Sequence, residues 1–274
     1  MSILVANARM YSLGDATANA WRALFDWISE RAGIPLEVIS HPPPHPLADL
    51  WRRQDLGCAL MCGYPWTTWR DALPKPVGLA APVPSVPELG GDAHYRTHIV
   101  VRDDSTARTL ADLRGVRFAY TARDSQSGYQ AARALFAPLA RAAGGQYFES
   151  IVGPLVTPRA VVEAIVDGSA DAGPLDAWWH ALLRMHEPAL ARRLRVIALT
   201  PLTPLPPMVC SAGVPEVDRA KIAGALMSVA DARALNDVRA ALLLTGFAAV
   251  DSSDYAVLAQ SARAVDDGGY RQLK

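Results

Sequence analysis

Thr109-Leu-Ala-Asp-Leu-Arg-Gly-Val-Arg-Phe-Ala-Tyr-Thr-Ala-Arg-Asp-Ser-Gln-Ser-Gly-Tyr129 contains a strand, a polar turn and the start of a helix in one continuous run. Its apolar segment predicts a β-strand over Val116–Tyr120. The polar turn that follows leads into a predicted helix over residues 128–143. The first turn of a helix leaves backbone N–H groups without partners and carries partial positive charge. This run therefore places a potential anion site directly after a buried strand.

The polar turn also brings hydroxyl groups to the start of the predicted helix. Ser125 and Ser127 flank Gln126, and Gly128 lets another group approach the backbone closely. Helix amides with neighbouring hydroxyls can bind an anion through neutral donors. A serine that only caps the helix would give the same pattern. The spacing alone leaves both interpretations open.

Strands and helices alternate on both sides of this run, which predicts an α/β fold in two lobes. The first hundred residues follow a β-α-β-α-β order, typical of a parallel sheet covered by helices. A second α/β series begins near residue 95, and a helix-rich region follows the proline-rich stretch Thr200–Pro207. We expect the first lobe to comprise residues 1–94 and 204–274, and the second to comprise residues 95–203.

Composition excludes several classes of protein. The chain has 274 residues, of which 51% are hydrophobic, so it can build a substantial core. Its 27 basic residues balance 27 acidic ones, which argues against a nucleic-acid-binding protein. No apolar run approaches the ~18 residues of a membrane span. The N-terminus has no basic segment typical of a signal peptide. We therefore expect a periplasmic protein if a leader was removed, and a cytoplasmic one if the chain is complete.

Cysteine and histidine patterns predict neither a metal site nor a cofactor. An odd count of three cysteines in a chain this long does not form a disulfide framework, and Cys58 and Cys62 fit the core face of an apolar strand. His94 and His98 are four residues apart on a predicted strand or loop, where they would not share a helix face. Walker, Gly-x-Gly-x-x-Gly and Gly-x-Ser-x-Gly motifs are all missing from the sequence.

Several segments match one family pattern. The Leu-Ala-Asp-Leu-Arg-Gly run of residues 109–129 is followed by Ser-x-Ser-Gly-Tyr, Tyr95–Ser105 forms a V-V-x-D-D-S strand, and Val162–Asp176 forms an E-A-I-V-D-G…A-D-A-G…D segment. These resemble the type II periplasmic substrate-binding proteins, and more narrowly the phosphate/phosphite/phosphonate ABC-transporter class. Cys62-Gly-Tyr-Pro65 is similar to a tetrapeptide of a leaderless-looking subgroup. The resemblance implies two lobes, each a mainly parallel sheet flanked by helices, with a ligand cleft between them.

The resemblance also implies which residues hold the oxyanion head of a ligand. The helix start would supply amides and hydroxyls, the crossover strand a tyrosine and a hydroxyl, and the first β-to-α loop an aromatic ring. Asp176 would accept a hydrogen bond from a protonated ligand oxygen or an amine. The implied ligand-binding set is Tyr11, Gly63, Tyr64, Thr67, Tyr95, Thr97, Ser125, Gln126, Ser127, Gly128, Tyr129, Thr157 and Asp176.

Two departures from the family pattern concern the ligand. Family members often carry Gly-Ser-His just before the helix near residue 158, but this chain has Leu155-Val-Thr-Pro158, with proline in place of the histidine. The Trp178-Trp179 pair is also bulkier than the family pattern. Both changes leave the identity of the ligand open, and they allow a ligand that is more apolar than a phosphonate. Trp66 and Trp69 either line the ligand edge of the sheet or pack beneath it.

The resemblance implies a solute-binding protein that captures a small, phosphonate- or phosphate-like oxyanion between two hinged lobes. It would serve an ABC-type uptake system, so the implied macromolecular partner is an ABC permease. The missing leader supports a second hypothesis, a cytoplasmic enzyme or sensor on the same fold that acts on a small carboxylate or cofactor precursor. Asp176 is the one clear carboxylate that such an enzyme could use.

Overall fold

The computed structural model describes residues 3–274, which form an α/β structure. Strands of two to eight residues alternate with helices along most of the chain. The strands are β1 (Leu4–Asn7), β2 (Leu36–Val38), β3 (Leu56–Leu60), β4 (Val77–Pro84), β5 (His94–Tyr95), β6 (Thr97–Arg102), β7 (Arg117–Ala119), β8 (Ser150–Val152), β9 (Ala172–Asp176), β10 (Leu194–Leu199), β11 (Thr203–Pro204), β12 (Met208–Cys210) and β13 (Leu244–Ala248).

The α-helices range from one turn to five. Short 3-10 turns and a π-helical segment at Gln126–Gln130 supplement them. The helices are α1 (Asp15–Ala32), α2 (Leu47–Trp51), α3 (Gly63–Thr67), α4 (Ala131–Ala142), α5 (Pro158–Val166), α6 (Ala177–His186), α7 (Pro188–Ala191), α8 (Glu216–Met227), α9 (Asn236–Ala241) and α10 (Ala256–Asp267).

Contacts divide the chain into two compact units. Unit 1 consists of the described residues up to His94 and of Pro204–Asp254, and unit 2 consists of Tyr95–Thr203 and Tyr255–Lys274. The short strands β5 and β11, where the chain passes between the units, form a two-stranded sheet. The C-terminal segment differs from the sequence-based expectation, which assigned all of residues 204–274 to the first lobe.

A buried arginine explains why the C-terminal segment packs in unit 2. Arg133 on α4 is only 2% exposed and forms an ion pair with Asp266 on α10. Its guanidinium also donates to the carbonyls of Ala262 and Tyr270, at 3.1 and 2.9 Å. A buried guanidinium requires such partners because desolvation would otherwise make it costly. These bonds fix α10 and the residues after it against α4.

Unit 1 is built on a mixed six-stranded sheet of order β13-β4-β12-β3-β1-β2. β1 is parallel to both β2 and β3, whereas β12 is antiparallel to β3 and β4, and β13 is antiparallel to β4. Trp21, Leu24, Phe25 and Ile28 form the buried face of α1, as their spacing predicts. Gly33 ends α1 in the left-handed conformation at φ 64°.

Unit 2 is built on a mixed five-stranded sheet of order β10-β6-β9-β7-β8. β7 is parallel to β8 and β9, whereas β6 is antiparallel to β9 and β10. The sheets are thus mixed rather than mainly parallel, because β6 and β12, the first strands of the two large sheets after each passage between units, run antiparallel to their neighbours. Phe118, Phe136 and Phe148 pack together in the core of unit 2, with ring centroids 4.5–5.2 Å apart.

Candidate functional site

A wide helical turn begins the long helix of unit 2. The π-helical segment Gln126–Gln130 continues directly into α4. Ser125 is its N-cap in extended conformation, and its Oγ accepts a hydrogen bond from the Gly128 N–H at 3.0 Å. The Gln130 N–H donates to the Ser125 carbonyl at 3.0 Å, one residue further than in an α-helix. The helix therefore begins slightly earlier than residue 128, and with a serine cap.

Two carbonyls of this wide turn bond to groups outside the helix. The Thr97 hydroxyl on β6 donates to the Ser127 carbonyl at 3.2 Å, and the Thr121 N–H donates to the Gly128 carbonyl at 3.3 Å. π-turns are rare and occur often at functional sites. Here the widened turn ties the helix start to the central strand β6 and to the end of the preceding strand.

The Thr97 hydroxyl donates its proton to another group of the protein, the Ser127 carbonyl. Because it points at the Ser127 carbonyl, the oxygen of Thr97 can accept a hydrogen bond but cannot donate a second one. Thr97 is buried and lies opposite Asp176 in the antiparallel register of β6 and β9. Its structural effect is to position Ser127.

Asp176 and Thr157 each cap a helix of unit 2. Asp176 Oδ1 accepts a hydrogen bond from the Trp179 N–H at 3.0 Å at the start of α6. Asp176 is 6% exposed. Thr157 Oγ1 accepts from the Ala160 N–H at 3.1 Å at the start of α5. An N-cap threonine still has its own proton to donate, whereas an ionised carboxylate offers only acceptors. Unit 2 thus combines hydroxyl donors at two helix starts with one carboxylate acceptor at a third.

The remaining predicted residues of unit 2 are buried. Tyr95 and Gln126 are 1% and 5% exposed. The Tyr129 ring packs edge-on against Tyr120 at 5.0 Å, and its hydroxyl accepts from the Leu273 N–H at 3.1 Å. The Tyr129 phenol is therefore bound to the C-terminal segment, away from the hydroxyls of the helix start.

A cavity of about 350 Å³ in unit 2 lies next to this C-terminal segment. Tyr129 is the one predicted binding residue that lines it, together with Tyr120, Phe148 and Leu273. The serine and threonine hydroxyls at the helix starts do not contribute to its wall. This cavity is consequently separate from the candidate site.

The four predicted residues of unit 1 follow two adjacent parallel strands. Tyr11 follows β1, and Gly63, Tyr64 and Thr67 belong to α3, directly after β3. β1 and β3 are parallel neighbours, so their carboxyl ends meet at one edge of the unit 1 sheet, the usual ligand edge. Tyr11 is fully buried, and its carbonyl accepts from Trp21 Nε1 at 3.2 Å.

Trp66 and Trp69 are anchored through their indole nitrogens. Trp66 is 3% exposed and donates from Nε1 to the Pro76 carbonyl at 2.8 Å, while Trp69 donates to the Leu73 carbonyl at 2.9 Å. Lys75 lies over the Trp66 ring, 4.2 Å from its centroid. Between the two interpretations of these tryptophans, the contacts within unit 1 favour packing over ligand binding.

Thr121, which the sequence-based set lacks, lies against the start of the helix. A Cβ placed on Gly128 would lie 1.9 Å from Thr121 Oγ1 and 2.8 Å from Ser125 Oγ. Glycine is therefore needed at 128 because the Thr121 hydroxyl occupies the space of a side chain. A threonine directly after a predicted strand, seven residues before the Gly of Ser-x-Ser-Gly, was the only signal in the sequence.

A pair of buried histidines lies behind the site strand β6. His98 follows Thr97 and so points to the opposite face of the sheet, where its Nδ1 lies 3.0 Å from His180 Nδ1 on α6. One ring must donate from Nδ1 and the other accept, so at least the accepting ring is neutral. Burial lowers the pKa of each ring below its usual value of 6.5, and the nearby charge of Arg184 lowers it further.

The family model described as "ABC transporter, phosphonate, periplasmic substrate-binding protein" matches residues 11–255. The chain belongs to this family. It is a solute-binding protein of the type that works with an ABC permease, as the sequence analysis expected. No curated protein matches the sequence.

Solved structures of phosphonate-binding proteins share the fold. The binding component of an ABC phosphonate transporter from Pseudomonas aeruginosa aligns with a TM-score of 0.81 and 17% identity over 97% of this chain and 87% of that chain. PhnD1 from Prochlorococcus marinus in complex with methylphosphonate aligns with a TM-score of 0.77 and 16% identity over 96% of this chain and 98% of that chain. The predicted fold class, a two-lobe periplasmic-binding-protein fold with helix-flanked sheets, is confirmed.

Two other features of residues 3–274 bear on function. No helix there is both long and apolar enough to cross a membrane. The same residues bring together no cluster of three or more His, Cys, Asp or Glu side chains suited to a metal ion.

Proposed function

We propose that this phosphonate-family protein binds a small tetrahedral oxyanion, of the phosphonate or phosphate type, at the start of the Gln126–Ala142 helix. One observation carries the proposal: Ser125 and Ser127 stand at the start of a 12-residue helix extended by a π-turn, where Ser125 Oγ caps the Gly128 N–H and keeps its own proton to donate. The helix dipole favours negative charge there, and hydroxyl donors add directional bonds.

Neutral donors suit an anion whose protonation state must be recognised. Asp176 can accept from a protonated ligand oxygen, and Thr97 can do the same because its own proton is committed to Ser127. A site that holds donors and acceptors in fixed places rejects a ligand that leaves one of them unpaired. We propose that this pattern selects a monoprotonated oxyanion.

The contribution of unit 1 remains a prediction, as does closure of the two units on the ligand. The predicted ligand-binding residues of unit 1 are Tyr11, Gly63, Tyr64 and Thr67. Small-angle scattering tests the closure, because ligand binding with hinge motion should compact the protein. Identical profiles with and without saturating ligand would refute it.

Calorimetry tests the proposed site. Methylphosphonate, phosphite, inorganic phosphate and acetate are titrated into the wild-type protein and into Ser127→Ala. We expect binding of the phosphorus oxyanions, weakened by about 1–3 kcal/mol in Ser127→Ala because a hydrogen bond to a charged group is lost. Ser261→Ala, the same change on the exposed surface of α10, is the control and should bind like wild type. Equal affinity in wild type and Ser127→Ala would remove Ser127 from the site.

We also propose that the bound solute is released unchanged, as delivery to a permease requires. Mass spectrometry of the ligand after long incubation tests this against the hypothesis of an enzyme on the same fold. A new mass that depends on Asp176 would favour the enzyme.

A further inference from the structure

The Thr121 hydroxyl is a buried polar group that the fold does not use. Thr121 is 5% exposed, and its Oγ1 has no hydrogen-bond partner in the part of the chain that the structure describes. Its main chain is held on both sides, since its N–H donates to the Gly128 carbonyl at 3.3 Å and its carbonyl accepts from the Val156 N–H at 2.9 Å. The backbone hydrogen bonds thus hold the residue in place, and its hydroxyl takes no part in them.

Buried hydroxyls nearly always have a partner, because burying one without a hydrogen bond costs free energy. Valine has almost the same shape as threonine and would fill this place without that cost. An unused hydroxyl at such a place therefore indicates a partner that is not part of the chain.

The hydroxyl lies at the start of the helix. Its oxygen and that of Ser125 both lie against the α-carbon of Gly128, 1.9 and 2.8 Å from the position a Cβ would take. Ser125 Oγ already accepts from the Gly128 N–H, so its proton is available for another acceptor. Two hydroxyl protons are therefore available around one residue of the first turn, next to Ser127.

Resting on the proposed function, we propose that Thr121 is a third hydroxyl donor to the bound oxyanion, beside Ser125 and Ser127. Three hydroxyl donors match the three terminal oxygens of a phosphonate or phosphite, whereas a planar carboxylate offers only two oxygens. The arrangement therefore favours a tetrahedral XO3 head group over a carboxylate, which is the ligand class of the alternative enzyme hypothesis.

The test uses two pairs of variants that differ only by a hydroxyl. Wild type is compared with Thr121→Val, and Thr121→Ser is compared with Thr121→Ala, by calorimetry with methylphosphonate, inorganic phosphate and acetate. We expect each loss of the hydroxyl to weaken binding of the two phosphorus oxyanions tenfold or more, because the lost donor faces a charged acceptor. Thr121→Ser should stay close to wild type.

A melting temperature without ligand separates binding from structure. Because the hydroxyl has no partner among residues 3–274, Thr121→Val should melt at or above the wild-type temperature. Unchanged affinity in both hydroxyl-free variants would overturn the proposal while leaving the proposed function intact. A lower melting temperature of Thr121→Val with unchanged affinity would assign the hydroxyl a structural role and overturn it too. If wild type itself binds neither phosphorus oxyanion, the proposed function fails and this inference fails with it.

Discussion

Replacing Gly128 by alanine would force the methyl group into space that Thr121 occupies. The new Cβ would lie 1.9 Å from Thr121 Oγ1 and 3.0 Å from Thr121 Cβ. Non-bonded heavy atoms prefer separations of roughly 3.5–4.0 Å, so the threonine side chain must move by more than about 1 Å. Its main chain bonds to Gly128 and Val156 and resists that movement.

Two effects of opposite sign determine the change in the free energy of unfolding. Alanine restricts the unfolded chain, which by itself stabilises by about 0.4–1 kcal/mol where the backbone allows it. Overpacking a full core typically costs about 1–3 kcal/mol. We therefore expect Gly128→Ala to destabilise the protein by about 1–2 kcal/mol, and to disturb the Ser125 cap as well.

Urea unfolding of four proteins measures the effect: wild type, Gly128→Ala, Thr121→Ala and the double variant. Thr121→Ala removes the closest atom, so the double variant should recover about 1 kcal/mol relative to the sum of the single changes. Strict additivity of the two changes, or a Gly128→Ala protein at least as stable as wild type, would refute the steric reasoning.

Three further predictions follow from the buried polar and thiol groups. Since burial lowers the pKa of His98 and His180, the unfolded chain binds more protons below pH 6.5 and the free energy of unfolding should fall from pH 6.5 to 5. His180→Leu should flatten that decrease in urea titrations, and an unchanged slope would contradict the assignment. Arg133→Met should cost about 1–3 kcal/mol in the same assay, because the buried carbonyls of Ala262 and Tyr270 lose their donor while the half-exposed Asp266 can be hydrated; an unchanged free energy of unfolding would show that α10 is held by other contacts. Burial raises the pKa of Cys58 and raises that of Cys210 to about 12, so neither thiol should react with iodoacetamide at pH 8 until the protein is unfolded, as mass spectrometry would show.

Periodicity and capping signals predicted much of the fold. The buried face of α1 and the strands β1, β3 and β6 follow directly from apolar spacing, and Ser125 as a cap follows from its place after a strand. These features depend on nearby residues only, which is why sequence reasoning reached them.

Two strands of unit 1 were missed for identifiable reasons. β4 contains Pro82 and Pro84, which normally argue against a strand within a sheet. Its ladder to β12 extends only from Val77 to Ala80, so both prolines lie beyond it and face β13 instead, opposite Phe247 and Leu244. The region after Pro207 was expected to be helix-rich, but α9 ends at Ala241 and the apolar residues from Leu244 form β13. Short apolar runs fit a helix or a strand equally well, and contact with β4 decides.

The sequence predicted that a group of hydroxyls would form the candidate site. It did not predict to which acceptor each hydroxyl donates. Thr97 donates inward to Ser127, and Tyr129 accepts from the C-terminal segment, because residues distant in sequence meet them in the fold. The role of Thr121 depends on its contact with Gly128. Such pairings require tertiary structure, so the residue types could be predicted and their partners could not.

The ion pair between Arg133 and Asp266 joins residues 133 positions apart in sequence. During synthesis from the N-terminus, α4 leaves the ribosome long before α10 has been made. Until then the guanidinium of Arg133 is exposed to water, and the aromatic core beside it lacks Tyr270 and Leu273. Unit 2, although it supplies the serine-lined helix start, is therefore completed only when α10, Tyr270 and Leu273 have been translated.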